Sequence, residues 1–338
     1  MLAALCMQAR NREVHLRLIA TSDIHGNYLP FDYISRQPGR GGLSRVETYV
    51  RTQRKELGRE QVVVLDNGDI LQGQPTAYYY NFIDTTSTHF CAQALNYIEY
   101  DAATIGNHDI ETGHAVYDRW VGECNFPMLG ANVVSTSTGR PYWKPYTIIE
   151  RNGIRIGVLG MITPSIPKWL PNNLWSGLRF DDLVETARRW LPEMRYKEHA
   201  DIIVGLFHSG IGSKNARGRM FENAALQVAR MVPGFDIIFC GHDHREADLR
   251  IANVRGDSVL VLNPAANGMS VAQADIRLTL KRKAIVGKRV NGRLVNVADL
   301  QPDSDFINTF APQAKAVEAF VGEKVGENET ELSTRGAY

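Results

Sequence analysis

Five of the nine histidines in this 338-residue chain sit in short motifs that carry most of its potential chemistry. The motifs are Asp23-Ile24-His25-Gly26, Asn67-Gly68-Asp69, Gly106-Asn107-His108-Asp109, His208-Ser209-Gly210 and Gly241-His242-Asp243-His244. Together they offer imidazole, carboxylate and one carboxamide, with no thiolate in a ligand spacing. Such a donor set suits Mn²⁺, Zn²⁺, Fe or Co²⁺ and excludes an iron–sulfur or structural zinc centre. Asp23 and His25 are two residues apart, as are His242 and His244, so in an extended segment each pair points one way. Asp69 could bridge two ions with its two oxygens. Asn107 offers a neutral carbonyl oxygen and His208 an imidazole. A single Asp-x-His or His-x-His pair is a weak signal, but five motifs in order are hard to reach by chance. Two ions roughly 3.5–4 Å apart can generate hydroxide at neutral pH and hold a phosphoryl group in line.

His108 follows Asn107 and so faces elsewhere. If it is not a ligand, it can stabilise phosphoryl charge or protonate a leaving oxygen. Such a histidine needs a carboxylate to set its tautomer. Glu111 is the candidate, with Asp109 the alternative. His15, His89, His114 and His199 lack this context and read as surface or internally satisfied residues.

Four of the five motifs follow apolar, β-branched runs, of which 202–207 is typical, so the candidate ligands stand at strand ends. That is how an α/β sheet assembles a site at its carboxyl edge. A strand is expected over 14–21. Gly41-Gly42 opens an amphipathic helix over 43–57, closed by Gly58. Further strands fall at 62–65, just before Gly106, and at 236–240. Helices fall at 90–97, 183–194 and 224–231, and a hairpin turns at Asn152-Gly153. Residues 164–178, with Trp169 and Trp175, form a structured loop over the site or at its rim. From 248 to 298 the pattern is antiparallel β with turns at 255–257 and at Asn291-Gly292. A continuous amphipathic helix covers 304–321.

The formal net charge of +1 gives no footprint for a nucleic-acid polymer. No run reaches the ~18–20 apolar residues of a membrane helix. Cys240 reads as a small buried hydrophobe, and a Cys91–Cys124 disulfide is left open. The first residues read either as the remnant of an export signal, giving a periplasmic protein, or as a bland leader of a cytoplasmic one. Because the motifs run from Asp23 to His244, one site implies one domain.

The ordered set Asp23-x-His25, Gly68-Asp69, Gly106-Asn107-His108, His208 and Gly241-His242-x-His244 resembles the calcineurin-like metallophosphoesterase superfamily. Thr21 to Asn27, Asp66 to Asp69 with Gln72-Gly73, and 185–194 resemble the bacterial 5'-nucleotidases and 2',3'-cyclic-nucleotide 2'-phosphodiesterases/3'-nucleotidases. The resemblance implies an α/β fold of two packed mixed sheets flanked by helices, a four-layer sandwich. It also implies two divalent ions. Asp23, His25, Asp69 and His244 would hold one, and Asp69, Asn107, His208 and His242 the other. Asn107 and His108 would touch substrate, and His108 would be the catalytic histidine. Relatives commonly carry an aspartate where this chain has Glu111, which is one methylene longer. The domain reading is a leader over 1–12, a catalytic domain over 13–300, and a helix and linker over 301–338 leading to an absent C-terminal domain that selects the nucleotide. The rival readings are a metal-binding domain with little activity, and a related hydrolase acting on thiosulfate esters or sugar phosphates.

Overall fold

The computed structural model describes residues 11–33, 35–282 and 284–327. Its core is a pair of six-stranded sheets. In the first sheet, β1 (Arg12–Thr21), β2 (Val62–Asp66), β3 (Ala102–Thr104) and β4 (Met128–Leu129) run parallel. In the second, a hairpin of β5 (Tyr146–Arg151) and β6 (Ile154–Ile162) leads to β7 (Ile202–His208) and β8 (Ile237–Cys240). Strands β9 (Glu246–Ala252) and β10 (Ser258–Pro264) complete that sheet. The chain then returns through β11 (Ser270–Lys281), which pairs antiparallel with β1, and β12 (Ala284–Asn296) forms the edge of the first sheet. The sheet orders are β12-β11-β1-β2-β3-β4 and β9-β10-β8-β7-β6-β5.

Alternation along β1 explains the layering. Leu16 and Leu18 join Val204, Leu206 and Phe239 in the core between the sheets. Ile19 faces outward onto α1 (Leu43–Leu57) and α2 (Phe90–Ile98). On the far side, α4 (Leu183–Pro192) and α5 (Ala225–Met231) cover the second sheet, while α3 (His114–Glu123) lies on the first. Strands buried on both faces read as unbroken apolar runs, as 202–207 does. The helix–sheet–sheet–helix order matches the expected sandwich.

The hairpin turn is as expected: Asn152 and Gly153 both have positive φ, 54° and 77°, as a two-residue type I′ turn requires. Three other expectations need correction. Asn291-Gly292 is not a turn but lies inside β12, opposite Asp275 and Ala274. A Cβ on Gly292 would stand 2.8 Å from Leu260 Cδ2, so this glycine serves close packing between the sheets. The 248–298 region is not wholly antiparallel, because β10 pairs in parallel with β8. The last helix is two, α6 (Ser304–Thr309) and α7 (Ala311–Val321). Pro312 lacks the N–H that would continue the ladder, and it sits in the first turn of the second helix, where that donor is not needed.

Cys91, Cys124 and Cys240 are free thiols, and Cys91 and Cys240 are fully buried. No helix among the described residues is long and apolar enough to cross a membrane. The first ten residues, on which the export expectation rests, lie outside the described residues.

Candidate functional site

The parallel strands of both sheets present their carboxyl ends to one place. The turns after β1, β2, β3 and β8 carry Asp23 and His25, Asp69, Asn107, and His242 and His244, and His208 is the last residue of β7. The Asp23–His25 and His242–His244 pairs are not extended, as the two-residue spacing had suggested. Asp23, His25, Asp69, His242 and His244 all have positive φ, between 49° and 72°. Asp and His tolerate this region better than most residues, but each still costs some strain. The strain is held by cross-links. Asp109 accepts from the backbone N–H groups of Asp69 (2.9 Å), Ile70 (2.9 Å), Leu71 (2.9 Å) and Gly106 (2.8 Å). The His242 N–H donates to Asp23 Oδ2 at 3.0 Å, joining the two sheets. Two motif glycines make room: a Cβ on Gly106 would lie 2.1 Å from Asp69 Oδ1, and one on Gly241 1.9 Å from Ser22 Oγ.

All seven expected ligands converge; six of them divide into two groups, and Asn107 meets two members of the second. Asp23, His25 and His244 form one, and Asp69, His208 and His242 the other; each could hold an ion. Outer partners set the tautomers. His208 Nδ1 donates to the Asn67 carbonyl at 2.7 Å, His242 Nε2 to Glu222 Oε1 at 3.1 Å, and His25 Nδ1 to Gln72 Oε1 at 3.1 Å. The remaining nitrogens then present lone pairs to the centre. His208 Nε2 is 3.1 Å and His242 Nδ1 2.7 Å from the same Asn107 Oδ1. His25 Nε2 and His244 Nε2 stand 2.9 Å apart. Lone pairs facing lone pairs at these distances call for cations between them, and the donor set fits divalent ions.

The electrostatics agree. Asp23 and Asp69 are fully buried carboxylates, which are costly without a counter-charge. Burial acts to raise the Asp69 pKa, yet the imidazole of His208, 3.2 Å from its Oδ2, carries it below the usual range. Burial also disfavours an imidazolium at His208, but the Asp69 charge reverses this and raises its pKa to about 10. His25 and His242 are lowered, mainly by burial.

His108 stands apart from both groups. Its backbone N–H donates to Asp69 Oδ1 at 2.7 Å. Its Nδ1 lies 2.5 Å from Glu111 Oε2, so the longer carboxylate reaches. Asp109, the alternative partner, is fully buried and committed to backbone amides. Burial, reinforced by the neighbouring Asp69 charge, raises its pKa to about 6.

Residues 16–246 match the family of calcineurin-like phosphoesterases. The chain belongs to this family. It is 31% identical over 340 residues to the trifunctional nucleotide phosphoesterase protein YfkN of Bacillus subtilis, covering 95% of this chain and 22% of that protein. It is 31% identical over 348 residues to the 2',3'-cyclic-nucleotide 2'-phosphodiesterase/3'-nucleotidase of Haemophilus influenzae, covering 93% of this chain and 51% of that one. The crystal structure of the calcineurin-like phosphoesterase YfkN from Bacillus subtilis superposes with a TM-score of 0.81 at 28% identity, over 92% of this chain and 100% of that one. The chain thus spans about half or less of these curated relatives' length.

The candidate site also contains residues that the motifs did not reveal. Glu222 lies in the loop before α5 and has no motif around it; only folding brings it to His242. Trp169, on a short helix (Ile166–Trp169), stacks on the His242 ring at a centroid distance of 5.5 Å. The 164–178 loop therefore covers one candidate ligand of the site. Gln72 is visible in the motif, but its role on His25 is not. Of the histidines set aside, His89 is buried, caps α2 by accepting from the Cys91 N–H and meets Asn81 at 2.9 Å. His15 pairs with Asp275 at 2.7 Å.

Proposed function

We propose that this protein hydrolyses phosphate esters of nucleotides, as a cyclic-nucleotide phosphodiesterase or nucleotidase with two divalent ions. The observation that carries the reading is the set of imidazole lone pairs and carboxyl or amide oxygens facing one another across two adjoining groups. Asp23, His25, Asp69 and His244 would hold one ion, and Asp69, Asn107, His208 and His242 the other. When bound, the ions would activate a water and neutralise phosphoryl charge. This chain's residues do the rest. Asn107 and His108 bind the phosphoryl oxygens. His108 presents Nε2, which no described residue takes, and gives its proton to the leaving oxygen. Glu111 holds Nδ1 and stabilises the imidazolium before that transfer. Substrate choice is shared with a C-terminal domain beyond the catalytic one. The nucleotide substrate is supported by the names of the relatives, and their greater length supports the additional domain.

The test is a panel on the metal-loaded chain: a 2',3'-cyclic nucleotide, 3'- and 5'-nucleotides, glycerol 2-phosphate and thiosulfate esters. Turnover of one or more nucleotides is expected, with elemental analysis approaching two ions per chain. Turnover confined to the other esters would overturn the nucleotide reading, and two bound ions with no turnover at all would leave a metal-binding domain.

A further inference from the structure

We propose that Trp169 is a positioning residue that holds the His242 ring in plane for its ion, and that His114 latches the loop that seats it. This rests on the reading of His242 as a ligand above. One nitrogen of that ring is tied: Nε2 donates to Glu222 Oε1 at 3.1 Å. The other, Nδ1, faces the centre, 2.7 Å from Asn107 Oδ1. A single hydrogen bond sets the plane of the ring only loosely, because the last torsion of a histidine is a broad one. Rocking about Cβ–Cγ would swing the Nδ1 lone pair off line. Trp169 closes this freedom. Its indole lies against the face of His242 at a centroid distance of 5.5 Å and an interplanar angle of 27°, while His208 meets the same ring edge-on at 5.3 Å. A ring already ordered by such contacts loses less freedom when it binds an ion.

A stiff loop carries Trp169 to that face. Pro164, Pro167 and Pro171 restrict the backbone on both sides of it. Ile166, at the start of the short helix, is fully buried in the core under the first sheet's helices. Beyond the helix, Trp175 Nε1 donates to the Leu170 carbonyl at 3.0 Å. The Tyr117 hydroxyl, on α3, donates to the Leu174 carbonyl at 3.2 Å. The outermost tie is His114, the first residue of α3. Its Nε2 donates to the Ser176 carbonyl at 2.9 Å, and its Nδ1 lies 3.2 Å from Asp118 Oδ2. The Tyr142 hydroxyl donates to the same Asp118 oxygen at 3.0 Å. His114 thus acts on the site through the loop. Trp169 itself stays 41% exposed, so little of the core depends on it and its loss can be studied in a folded chain.

The experiment uses the whole chain with Trp169→Ala, Trp169→Phe and His114→Ala. A substitution at the exposed Tyr196, Tyr196→Ala, serves as a control outside the site. Zn²⁺ affinity is measured by competition with a chromophoric chelator in a His244→Ala background, which keeps the group of Asp69, His208 and His242 intact. The His242 imidazole resonances, assigned by their loss in His242→Ala, are followed in metal-free protein. Affinity is expected to fall roughly 2- to 12-fold in Trp169→Ala, the worth of a stacked aromatic pair. Trp169→Phe should keep most of it, and His114→Ala should lie between wild type and Trp169→Ala. The His242 resonances should move and broaden in Trp169→Ala, move part-way in His114→Ala, and stay in place in Tyr196→Ala. Unchanged Zn²⁺ affinity in Trp169→Ala, or an equal loss in Trp169→Phe, overturns the positioning role. Unmoved His242 resonances in His114→Ala overturn the latch. Resonances that move as expected in a chain that binds no Zn²⁺ support the seating of His242 by Trp169 and defeat the ion reading instead.

Discussion

The two halves of the candidate metal centre are built differently. His208 has no exposed side-chain surface, and Asp69 has 1%. His208 hangs from a backbone carbonyl at the end of a strand buried along its whole length. In the other group His244 is 49% exposed; the remaining members match across the halves, with Asp23 as buried as Asp69, and His25 and His242 each held by one side chain, Gln72 and Glu222. A ligand fixed by backbone and packing loses little freedom on binding an ion, while an exposed one such as His244 must be ordered first. The buried half should therefore bind its ion tightly and release it slowly, and the open half should exchange. Asp69 lies in the buried half, and its charge also acts on His25 in the other.

The largest effect should follow Asp69→Asn, which removes the carboxylate proposed to serve both halves. Activity should fall by more than the ~10²–10⁴-fold of a lost proton donor, and metal content should drop in both halves. A wild-type stoichiometry of one ion, unchanged in the variant, would break the two-site picture. Next comes His108→Ala, which lies outside both halves. Nucleotide turnover should fall roughly 10²–10⁴-fold with both ions retained. Activated aryl phosphates, whose leaving group needs no proton, should suffer less. Loss of an ion in this variant would place His108 among the ligands instead.

The asymmetry itself is tested by chelation. Removal of metal from wild type should be biphasic, and His244→Ala should abolish the fast phase while keeping the slow one. A single phase, or loss of both ions in His244→Ala, would mean that the halves are equivalent. The smallest effects should come from the outer partners. Glu222→Gln should weaken ion binding in the buried half, and Gln72→Ala in the open half, each by roughly 10–100-fold. The measurement is competitive metal titration; a change in the wrong half would reassign the partner.

Much of this was legible in the chain. Four of the five ligand motifs stand at the end of an apolar run, and strand burial follows directly from that pattern. The seven candidate ligands, His108 and Glu111 were singled out and brought to one place because a site at strand ends needs its residues next to strong local signals. The misreadings share another cause. Asn291-Gly292 has turn chemistry, but its glycine answers to Leu260 and Leu262 on the other sheet. The Asp-x-His spacing suggested an extended segment, but closure of the site twists Asp23 and His25 into positive φ. Both outcomes were decided by contacts that local propensity does not encode.

Taken alone, the sequence determined the donor types, their order and the elements that carry them, because residue chemistry and hydrophobic period are local properties. Tertiary structure decided which donors meet. His25 and His244 are 219 residues apart in sequence and 2.9 Å apart in space. It also decided which nitrogen each imidazole turns inward, through the Asn67 carbonyl, Glu222 and Gln72. It set the contrast between a buried and an open half, and it laid Trp169 against the His242 ring. The physical reason is the same in each case. Burial, tautomer and ring stacking belong to groups from distant parts of the chain packed against one another, and no stretch of the chain carries them by itself.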